Sequence, residues 1–288
     1  KWDNGEFKGD AISTTSELVK ISSDGNLGLQ EGQKFERGGI YRFTVDVTKG
    51  NTKAVLTVEE VGKVDLSAPD IFFGNSKMEV TDTDIYKSDQ VFTRGQMITV
   101  TGIDNLNEWW IDPDFFEKQS DGTLKFLPIN GDYRVTANGI LKYFSVIALK
   151  DGKPAKLQDD GTGAIWAIGK GIGKPSVTSS EVGWETGKAL CLAQVAPKKY
   201  QLTLKAGETL KTSGDWEAIS FKFFYQNDWG GEFSNYASNT LVEQLKLTGS
   251  GNLEMQDNKA FEEGGVYRFT IDVTNGNANA ILKVEKIN

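Results

Sequence analysis

The stretch that decides the fold is GGVYRFTIDVTNGN, which runs from Gly264 to Asn277. Its odd-numbered residues from Tyr267 to Val273 are apolar, and its even-numbered residues from Arg268 to Thr274 are polar. A period of two predicts a strand with one buried and one wet face. The Asn275-Gly276 pair that follows predicts a tight hairpin turn, after which the chain returns as a second strand.

The chain carries this pattern twice, because GGIYRFTVDVTKGN begins at Gly38. Residue n of the first copy matches residue n+226 of the second, without a gap, from Gly5 to Gly62. Of these 58 aligned positions, 28 are identical. A repeat longer than 50 residues is a domain-sized unit, so the sequence indicates an internal duplication. We call residues 5–62 the first repeat and residues 231–288 the second repeat.

The duplication predicts the domain organisation. We expect residues 1–62 to be the C-terminal part of a duplicated β-sandwich module, residues 63–160 to be a middle β domain, and residues 161–288 to be a complete C-terminal module. The polar, turn-rich stretches 62–69 and 158–163 mark the boundaries. The first repeat should then lack the front strands of its sandwich, and something else should cover its apolar faces. The alternative is that it forms a complete small domain.

Nine further segments read as strands, because they are short, rich in β-branched and aromatic residues, and separated by Gly, Asn and Asp turns. They are Met97–Gly102, Leu124–Pro128, Tyr133–Asn138, Leu141–Leu149, Ala164–Gly169, Ala189–Gln194, Tyr200–Lys205, Ile219–Tyr225 and Leu245–Thr248. Helical periodicity is weak throughout. The sequence therefore predicts an all-β chain built of sandwiches.

The composition excludes several classes of function. The chain has no histidine, which removes the commonest general base and metal ligand, and a Ser-His-Asp triad with it. A net charge of −8 argues against nucleic acid as a partner. The sequence contains no run of 18 apolar residues, which is about the length that a membrane-spanning helix needs. The one cysteine, Cys191, lies in an apolar run and is expected to be a buried, inert thiol. We expect no cofactor, and we assign no metal-binding residue.

Tryptophans occur where a sandwich core does not need them. Five of them stand among Gly, Asn, Asp and Glu in predicted loops, at positions Trp109, Trp110, Trp184, Trp216 and Trp229. Loops run on the surface, and an aromatic face beside amide, carboxylate and ammonium groups suits a sugar, which has apolar C–H faces and directional hydroxyls. The sequence therefore predicts a carbohydrate site.

The predicted glycan site of the C-terminal module uses Trp184 and Trp229 as stacking rings. Tyr225 or Tyr236 would flank them, and Lys222 and Asn227 would hydrogen-bond the sugar hydroxyls. Trp109 and Trp110 form a second candidate site in the middle domain. The same offset of 226 aligns Tyr236 with Asp10 and, just before the repeats, Trp229 with Asp3, so the N-terminal copy lacks both aromatic residues. Trp2 lies one position from Asp3 and could partly substitute for Trp229.

The order IWAIGKGIG, GWETGKALCL, KKYQLTLKAGE and ISFKFFYQNDWGGEF resembles the starch-binding modules of SusE/SusF-type surface lipoproteins of Bacteroidetes. The resemblance covers about 125 residues, from Ala164 to the C-terminus, and does not extend to the middle domain. It implies tandem immunoglobulin-like sandwiches that hold glycan without catalysis. By position, Trp184 and Trp229 match the family's Gly-Trp and post-strand tryptophan, and Lys222 matches its strand lysine.

The resemblance also implies partners and a location. The partner would be a polysaccharide or oligosaccharide, with an α-glucan as the first expectation, and other outer-membrane glycan-uptake proteins could join it. The protein would lie at the outer-membrane cell surface and contact the membrane through a lipid anchor that is absent from this sequence.

The carboxylate clusters offer a rival reading as a glycoside hydrolase. Hydrolysis needs two carboxyls about 5–10 Å apart on either side of the bond. The acids of IDPDFFE (Asp112, Asp114, Glu117) and of TDTD (Asp82, Asp84) lie within short segments, so we interpret them as turn formers and solvated charges. Calcium at such clusters stays open, although the EF-hand spacing is missing. GKGIGK lacks the end of a P-loop.

Two non-catalytic alternatives also remain. In one, a structural or adhesive surface protein uses its sandwiches as spacers, which predicts buried loop tryptophans. In the other, the chain is an accessory domain of a glycoside hydrolase. A binding module instead predicts that at least two loop tryptophans are exposed on one side.

Overall fold

The computed structural model describes residues 7–36, 38–63, 69–214 and 218–288. The chain divides into two compact units, residues 1–68 and residues 69–288, which we call the first and second units. The described residues are nearly all strand and turn, and the strands form several sheets. The predicted all-β, sandwich-type fold is confirmed.

The first unit contains five strands, β1 (Ile12–Thr14), β2 (Val19–Ile21), β3 (Leu27–Leu29), β4 (Gly39–Asp46) and β5 (Ala54–Lys63). They form a three-stranded sheet in the order β1-β5-β4 and a β2-β3 hairpin. Val19, Leu56 and Val58 form its small buried core.

The first part of the second unit contains strands β6 (Phe72–Phe73), β7 (Ser76–Lys77), β8 (Glu79–Asp82), β9 (Ile85–Phe92), β10 (Met97–Ile98), β11 (Val100–Thr101), β12 (Phe116–Lys118), β13 (Leu124–Phe126), β14 (Gly131–Asn138), β15 (Tyr143–Lys150) and β16 (Lys153–Pro154). A five-stranded sheet has the order β16-β15-β14-β9-β8, and two three-stranded sheets have the orders β10-β13-β12 and β11-β6-β7. Phenylalanine rings fill the space between them: Phe73 contacts Phe92, Phe116 and Phe144.

The last part contains strands β17 (Trp166–Gly173), β18 (Glu181–Gly183), β19 (Leu190–Cys191), β20 (Ala193–Ala196), β21 (Lys199–Lys205), β22 (Ser220–Phe224), β23 (Ser238–Thr240), β24 (Leu245–Leu247), β25 (Leu253–Met255), β26 (Val266–Asp272) and β27 (Ile281–Lys286). One sheet has the order β18-β17-β22-β25-β24 with β19 also on β17, and the other has the order β20-β21-β26-β27-β23. Phe221 and Phe269 meet between the two sheets, with ring centroids 5.5 Å apart.

Helical structure is confined to short turns among the described residues. They are α1 (Val177–Ser180) and the 3-10 turns Leu106–Glu108, Thr186–Lys188 and Asn277–Asn279. None of the described helices is long and apolar enough to cross a bilayer.

The two repeats share one strand order, as the sequence predicts. Strands β1 to β5 fall at the positions of β23 to β27 with the same offset of 226. The hairpin registers also agree, since Val19 pairs with Leu29 as Leu245 pairs with Met255. In each repeat the first strand runs parallel to the last.

Smaller details repeat as well. Gly25 and Gly251 adopt φ angles of 82° and 87°. At either position a β-carbon would lie within about 2 Å of a backbone oxygen, that of Phe7 or Phe233 respectively. The aligned Asp46 and Asp272 each accept a hydrogen bond from the backbone amide two residues later. The duplicated sequence therefore builds the same local geometry twice.

The alternation read from the sequence is confirmed, but the hairpin turn is longer than predicted. Tyr267, Phe269, Ile271 and Val273 are all buried. Pairing between β26 and β27 ends at Asp272 and Ile281, so the connection is not a two-residue turn. Val273 and Ala280, which lie just beyond the last paired residues of the two strands, are both fully buried. Packing of these two side chains in the core therefore widens the connection.

All nine further predicted segments contain strands. The longest strand that the sequence reading missed is β9, Ile85–Phe92. Its inward face carries Ser88 and Gln90, and Gln90 Nε2 donates to Ser88 Oγ and to the carbonyl of Phe73. These internal hydrogen bonds let polar residues face inward, so the apolar alternation that marks a strand is missing.

Cys191 is a buried free thiol, as predicted. Burial raises the pKa of this thiol to about 12. It therefore stays protonated at neutral pH, which makes it a poor nucleophile.

Candidate functional site

Trp184 and Trp229 lie against each other. Their ring centroids are 6.2 Å apart, and their planes differ by 27°. Trp229 is 52% exposed, and Trp184 is half-buried against the core. The two rings therefore form one aromatic surface, which we call the Trp184–Trp229 platform.

Strand β22 positions this platform. Successive side chains of a strand point to opposite faces, so Phe221 and Phe223 lie on one face of β22, and Lys222 and Phe224 lie on the other. On that second face Phe224 is buried, and Lys222 is partly exposed. The ring of Phe224 meets Trp229 edge to face, with centroids 6.0 Å apart. Lys222 consequently lies on the same face of the sheet as the platform.

The loop after β22 fixes the exposed ring. Gln226 Nε2 donates to the carbonyl of Trp229 at 2.7 Å, and the amide of Trp229 donates to Asp228 Oδ1 at 2.8 Å. Gly230 and Gly231 both adopt positive φ, 79° and 80°, which a residue with a side chain rarely adopts. The indole is thus held in place although half of its surface faces solvent.

Two polar side chains near the platform are uncommitted. Lys222 and Asn227 are both partly buried, and neither side chain makes a hydrogen bond or ion pair with the described residues. An ammonium group and an amide are suitable donors for hydroxyl oxygens, and the amide can also accept. Both side chains are therefore available for further hydrogen bonds.

Tyr225 and Tyr236 lie elsewhere, because both pack on Phe233. Tyr225 meets Phe233 edge to face at 4.2 Å, and Tyr236 stacks on it at 5.8 Å. Neither tyrosine ring has a ring contact with Trp184 or Trp229 within the part of the chain that the structure describes. Burial raises the pKa of Tyr236 and of Tyr225, and the Tyr236 hydroxyl has no hydrogen-bond partner among the described residues. The predicted flanking contact is therefore not formed.

The second candidate pair, Trp109 and Trp110, also separates. Trp109 is only 8% exposed and stacks on Phe144, with centroids 4.6 Å apart. Its ring is therefore mostly covered, although it lines a cleft of about 500 Å³ together with Tyr86, Ile103 and Lys142.

Trp110 lines a cleft of about 350 Å³ between its loop and strands β21 and β26. Its indole Nε1 donates to Glu208 Oε1 at 2.6 Å, and Lys205 Nζ holds the other oxygen of that carboxylate at 2.8 Å. Arg268 also lines the cleft, and its buried Nε has no hydrogen-bond partner among the described residues. Of the second candidate pair, Trp110 is thus the residue that lines this polar cleft.

A buried ionic network lies beside this cleft. Lys174 Nζ lies 2.7 Å from Asp112 Oδ2 and 3.2 Å from Asp114 Oδ2, and all three side chains are at most 5% exposed. Asp114 also accepts hydrogen bonds from Gln201 Nε2 and from the amide and hydroxyl of Thr203. The interpretation of these two aspartates as solvated charges is wrong, because they are buried against a lysine.

The network sets the protonation of its members. Burial alone would raise the pKa of Asp114, but Lys174 and the hydrogen bonds from Gln201 and Thr203 outweigh it and hold the pKa below its usual value. Burial would lower the pKa of Lys174, but the two carboxylates outweigh it and raise that pKa. Lys174 and Asp114 therefore stay charged at neutral pH.

Sequence reasoning missed this network because its lysine and its aspartates are about 60 residues apart in the chain. Each part looked like an ordinary polar loop. Glu117 behaves as predicted, since it is exposed and pairs with Lys125. Asp82 and Asp84 are exposed as well, and Asp84 has a positive φ typical of a turn. Trp216 and the positions Trp2 and Asp3 of the repeat comparison lie outside the described residues.

The fold and the platform define a chain of β-sandwich type with a duplicated half-module and an aromatic surface site. Two family models match this chain. DUF5121, described as a domain of unknown function, matches residues 1–48 and 160–274. These ranges cover more than half of the 288 residues, and the chain belongs to this family.

DUF5125, also described as a domain of unknown function, matches residues 51–157. The DUF5121 match thus includes most of the first repeat and most of the C-terminal module, and the DUF5125 match lies between these two parts. No curated protein matches the chain.

Proposed function

We propose that the protein is a non-catalytic, cell-surface glycan-binding protein similar in role to SusE/SusF-type lipoproteins. The observation that carries the proposal is the Trp184–Trp229 platform, which is a fixed aromatic surface with half of one ring in solvent. Sugars present apolar C–H faces to such rings, and stacking orders few rotatable bonds in the protein.

Lys222 and Asn227 support the same proposal. The lysine lies on the platform's face of the sheet, and the amide lies in the same loop as Trp229. Both are available to bond the hydroxyls of a sugar whose C–H face lies on the indoles. The ligand class would be a polysaccharide or oligosaccharide, with an α-glucan as the first candidate.

Trp110 offers a second candidate site of different character. Its cleft combines one indole with Arg268, Lys205 and Glu208, so polar contacts outnumber stacking contacts there. A sugar in this cleft would be held mainly by hydrogen bonds. We rank it below the platform, because the Trp110 indole N–H is already bound to Glu208.

Surface attachment and partner proteins belong to the same proposal. A weak single site suits a protein held at a surface, because several modules facing one polysaccharide gain avidity without any new contact. Other glycan-uptake proteins of the outer membrane would be the partners in such an arrangement.

Affinity electrophoresis through gels that contain single polysaccharides tests the proposal. The wild type should be retarded by at least one glycan, starch first, and Trp184→Ala and Trp229→Ala should migrate freely in the same gel. Trp109→Phe is the matched control, since its ring is buried, and it should be retarded like the wild type. Retardation of all four proteins alike would place the site elsewhere, and retardation of none would favour a spacer role. Release of reducing ends at an enzymatic rate would contradict the non-catalytic part.

A further inference from the structure

The first repeat exposes the side chains that the second repeat buries. Six apolar residues of the first repeat are between 39% and 49% exposed: Leu27, Leu29, Phe35, Phe43, Val45 and Val47. Their counterparts at the offset of 226 are between 0% and 4% exposed: Leu253, Met255, Phe261, Phe269, Ile271 and Val273. The aligned side chains are apolar in both repeats, and they differ only in whether other strands pack over them. We call the six exposed side chains the open face.

The second unit shows which strands pack over these side chains. There, β21 pairs with β26, with Leu202 opposite Phe269, and β22 pairs with β25, with Phe221 opposite Leu253. Phe221 and Phe223 also lay their rings on Phe269, with centroids 5.5 and 6.4 Å away. Every one of these covering strands lies between residues 161 and 232.

The corresponding edges of the first unit are vacant within residues 7–36 and 38–63. Strand β4 pairs only with β5, and β3 pairs only with β2. These are the strands that align with β26 and β25. An unpaired strand edge beside a contiguous apolar patch favours the addition of further strands.

We propose that the open face is a docking surface for a half-module with the strand pattern of residues 161–232. A strand of the β21 type would add to β4, and a strand of the β22 type would add to β3, each in the register seen in the second unit. The phenylalanines of the incoming strand would lie on Phe43, as Phe221 and Phe223 lie on Phe269. This inference is independent of the glycan proposal, because it concerns a different face and needs no sugar.

An extended chain tests the docking directly. Residues 161–232 are joined to Phe7, because Phe7 aligns with Phe233, and the rest of the chain to residue 288 follows unchanged. The probes are the fluorescence of 8-anilinonaphthalene-1-sulfonate, which reports exposed apolar surface, and hydrogen exchange of the β4 amides. The extended chain should bind the dye several-fold less than the original chain, and its β4 amides should exchange at least about tenfold more slowly.

The control extension carries Leu202→Asp and Leu204→Asp in the added copy only. These side chains face the core in β21, so the control should leave dye binding and β4 exchange as they are in the original chain. Equal dye binding by the original and extended chains would overturn the proposal. So would an original chain that binds no dye and sediments as a dimer, because a second copy would then cover the face.

Phe43→Ser in the original chain gives a readout that needs no extension. It should lower dye binding and shift the unfolding midpoint only slightly, because about half of the ring surface is in solvent. Unchanged dye binding in this variant would mean that the face is not open, which also overturns the proposal.

Discussion

The two repeats of this chain are nearly the same structure in two environments. Their strands coincide at a constant offset and their hairpin registers agree, yet Phe269 is fully buried while Phe43 is 49% exposed. The sequence of the repeat therefore determines the local strand geometry. Burial, and with it most of the stability of a sandwich, depends on the strands that pack against it.

The largest effect should come from truncating the buried ring. Phe269→Ala should lower the free energy of unfolding of the second unit by about 3–5 kcal/mol, since it removes a large side chain from a closed core. Phe43→Ala, the same change at the aligned position, should cost less than about 1 kcal/mol, since its ring is half in solvent. Urea unfolding of both variants measures the difference. Equal losses would contradict the contrast between the repeats.

The ion pairs of the two units differ in the same way. The second unit contains the buried network of Lys174, Asp112 and Asp114, whereas Arg42 and Glu59 of the first unit form an exposed pair. Lys174→Met leaves two carboxylates buried without a cation and should cost about 3 kcal/mol at neutral pH. Lys246→Met, which removes a partly exposed lysine paired with the exposed Asp257, is the control and should cost less than about 1 kcal/mol.

The same network predicts a pH dependence. In the wild type the pKa of Asp114 is lowered, so its contribution to stability is present at neutral pH and is lost as the pH falls through that lowered value. In Lys174→Met the pKa of both carboxyls should rise, because burial then acts without the cation. The deficit of the variant should therefore shrink as the pH falls from 7 towards 4. A deficit that stays constant over this range would show that the lysine acts through packing alone.

The smallest effect concerns an arginine that both repeats share. Arg42 pairs with Glu59 at 3.2 Å on an exposed surface, so Arg42→Ala should change the free energy of unfolding by less than about 1 kcal/mol. In the second repeat Glu285, which aligns with Glu59, forms its ion pair with Lys283 at 2.6 Å. Arg268, which aligns with Arg42, lines the Trp110 cleft instead. A loss well above 1 kcal/mol from Arg42→Ala, measured by urea unfolding, would mean that the exposed pair is more important than its surroundings suggest.

The sequence predicts local structure better than it predicts the site. Alternation gave β26 and β4 correctly, because a strand with one buried face must repeat every two residues. It missed β9, whose inward-facing Ser88 and Gln90 form a hydrogen bond with each other. It also predicted a shorter hairpin connection than the one between β26 and β27. These errors arise where internal hydrogen bonds or the core override the local pattern.

Site prediction depended on contacts between distant parts of the chain. Trp184 and Trp229 were expected at the end of one strand because both lie in glycine-rich loops, and in the structure their rings stack on each other. Tyr236 was expected on the same surface, but its ring is held on Phe233. No local pattern tells whether a loop tryptophan folds inward, and for this reason Trp109 and Trp110, adjacent in sequence, have opposite surroundings.

The most direct test of the glycan proposal replaces Trp229 with aspartate, the residue found at the position 226 residues earlier, just before the first repeat. Isothermal titration calorimetry with a glycan that the wild type binds compares the wild type, Trp229→Asp and Trp229→Tyr. We predict that Trp229→Asp loses about 1–3 kcal/mol of binding free energy with an unchanged unfolding midpoint, and that Trp229→Tyr retains part of the affinity because an aromatic face remains. Wild-type affinity in a folded Trp229→Asp protein would contradict the proposal.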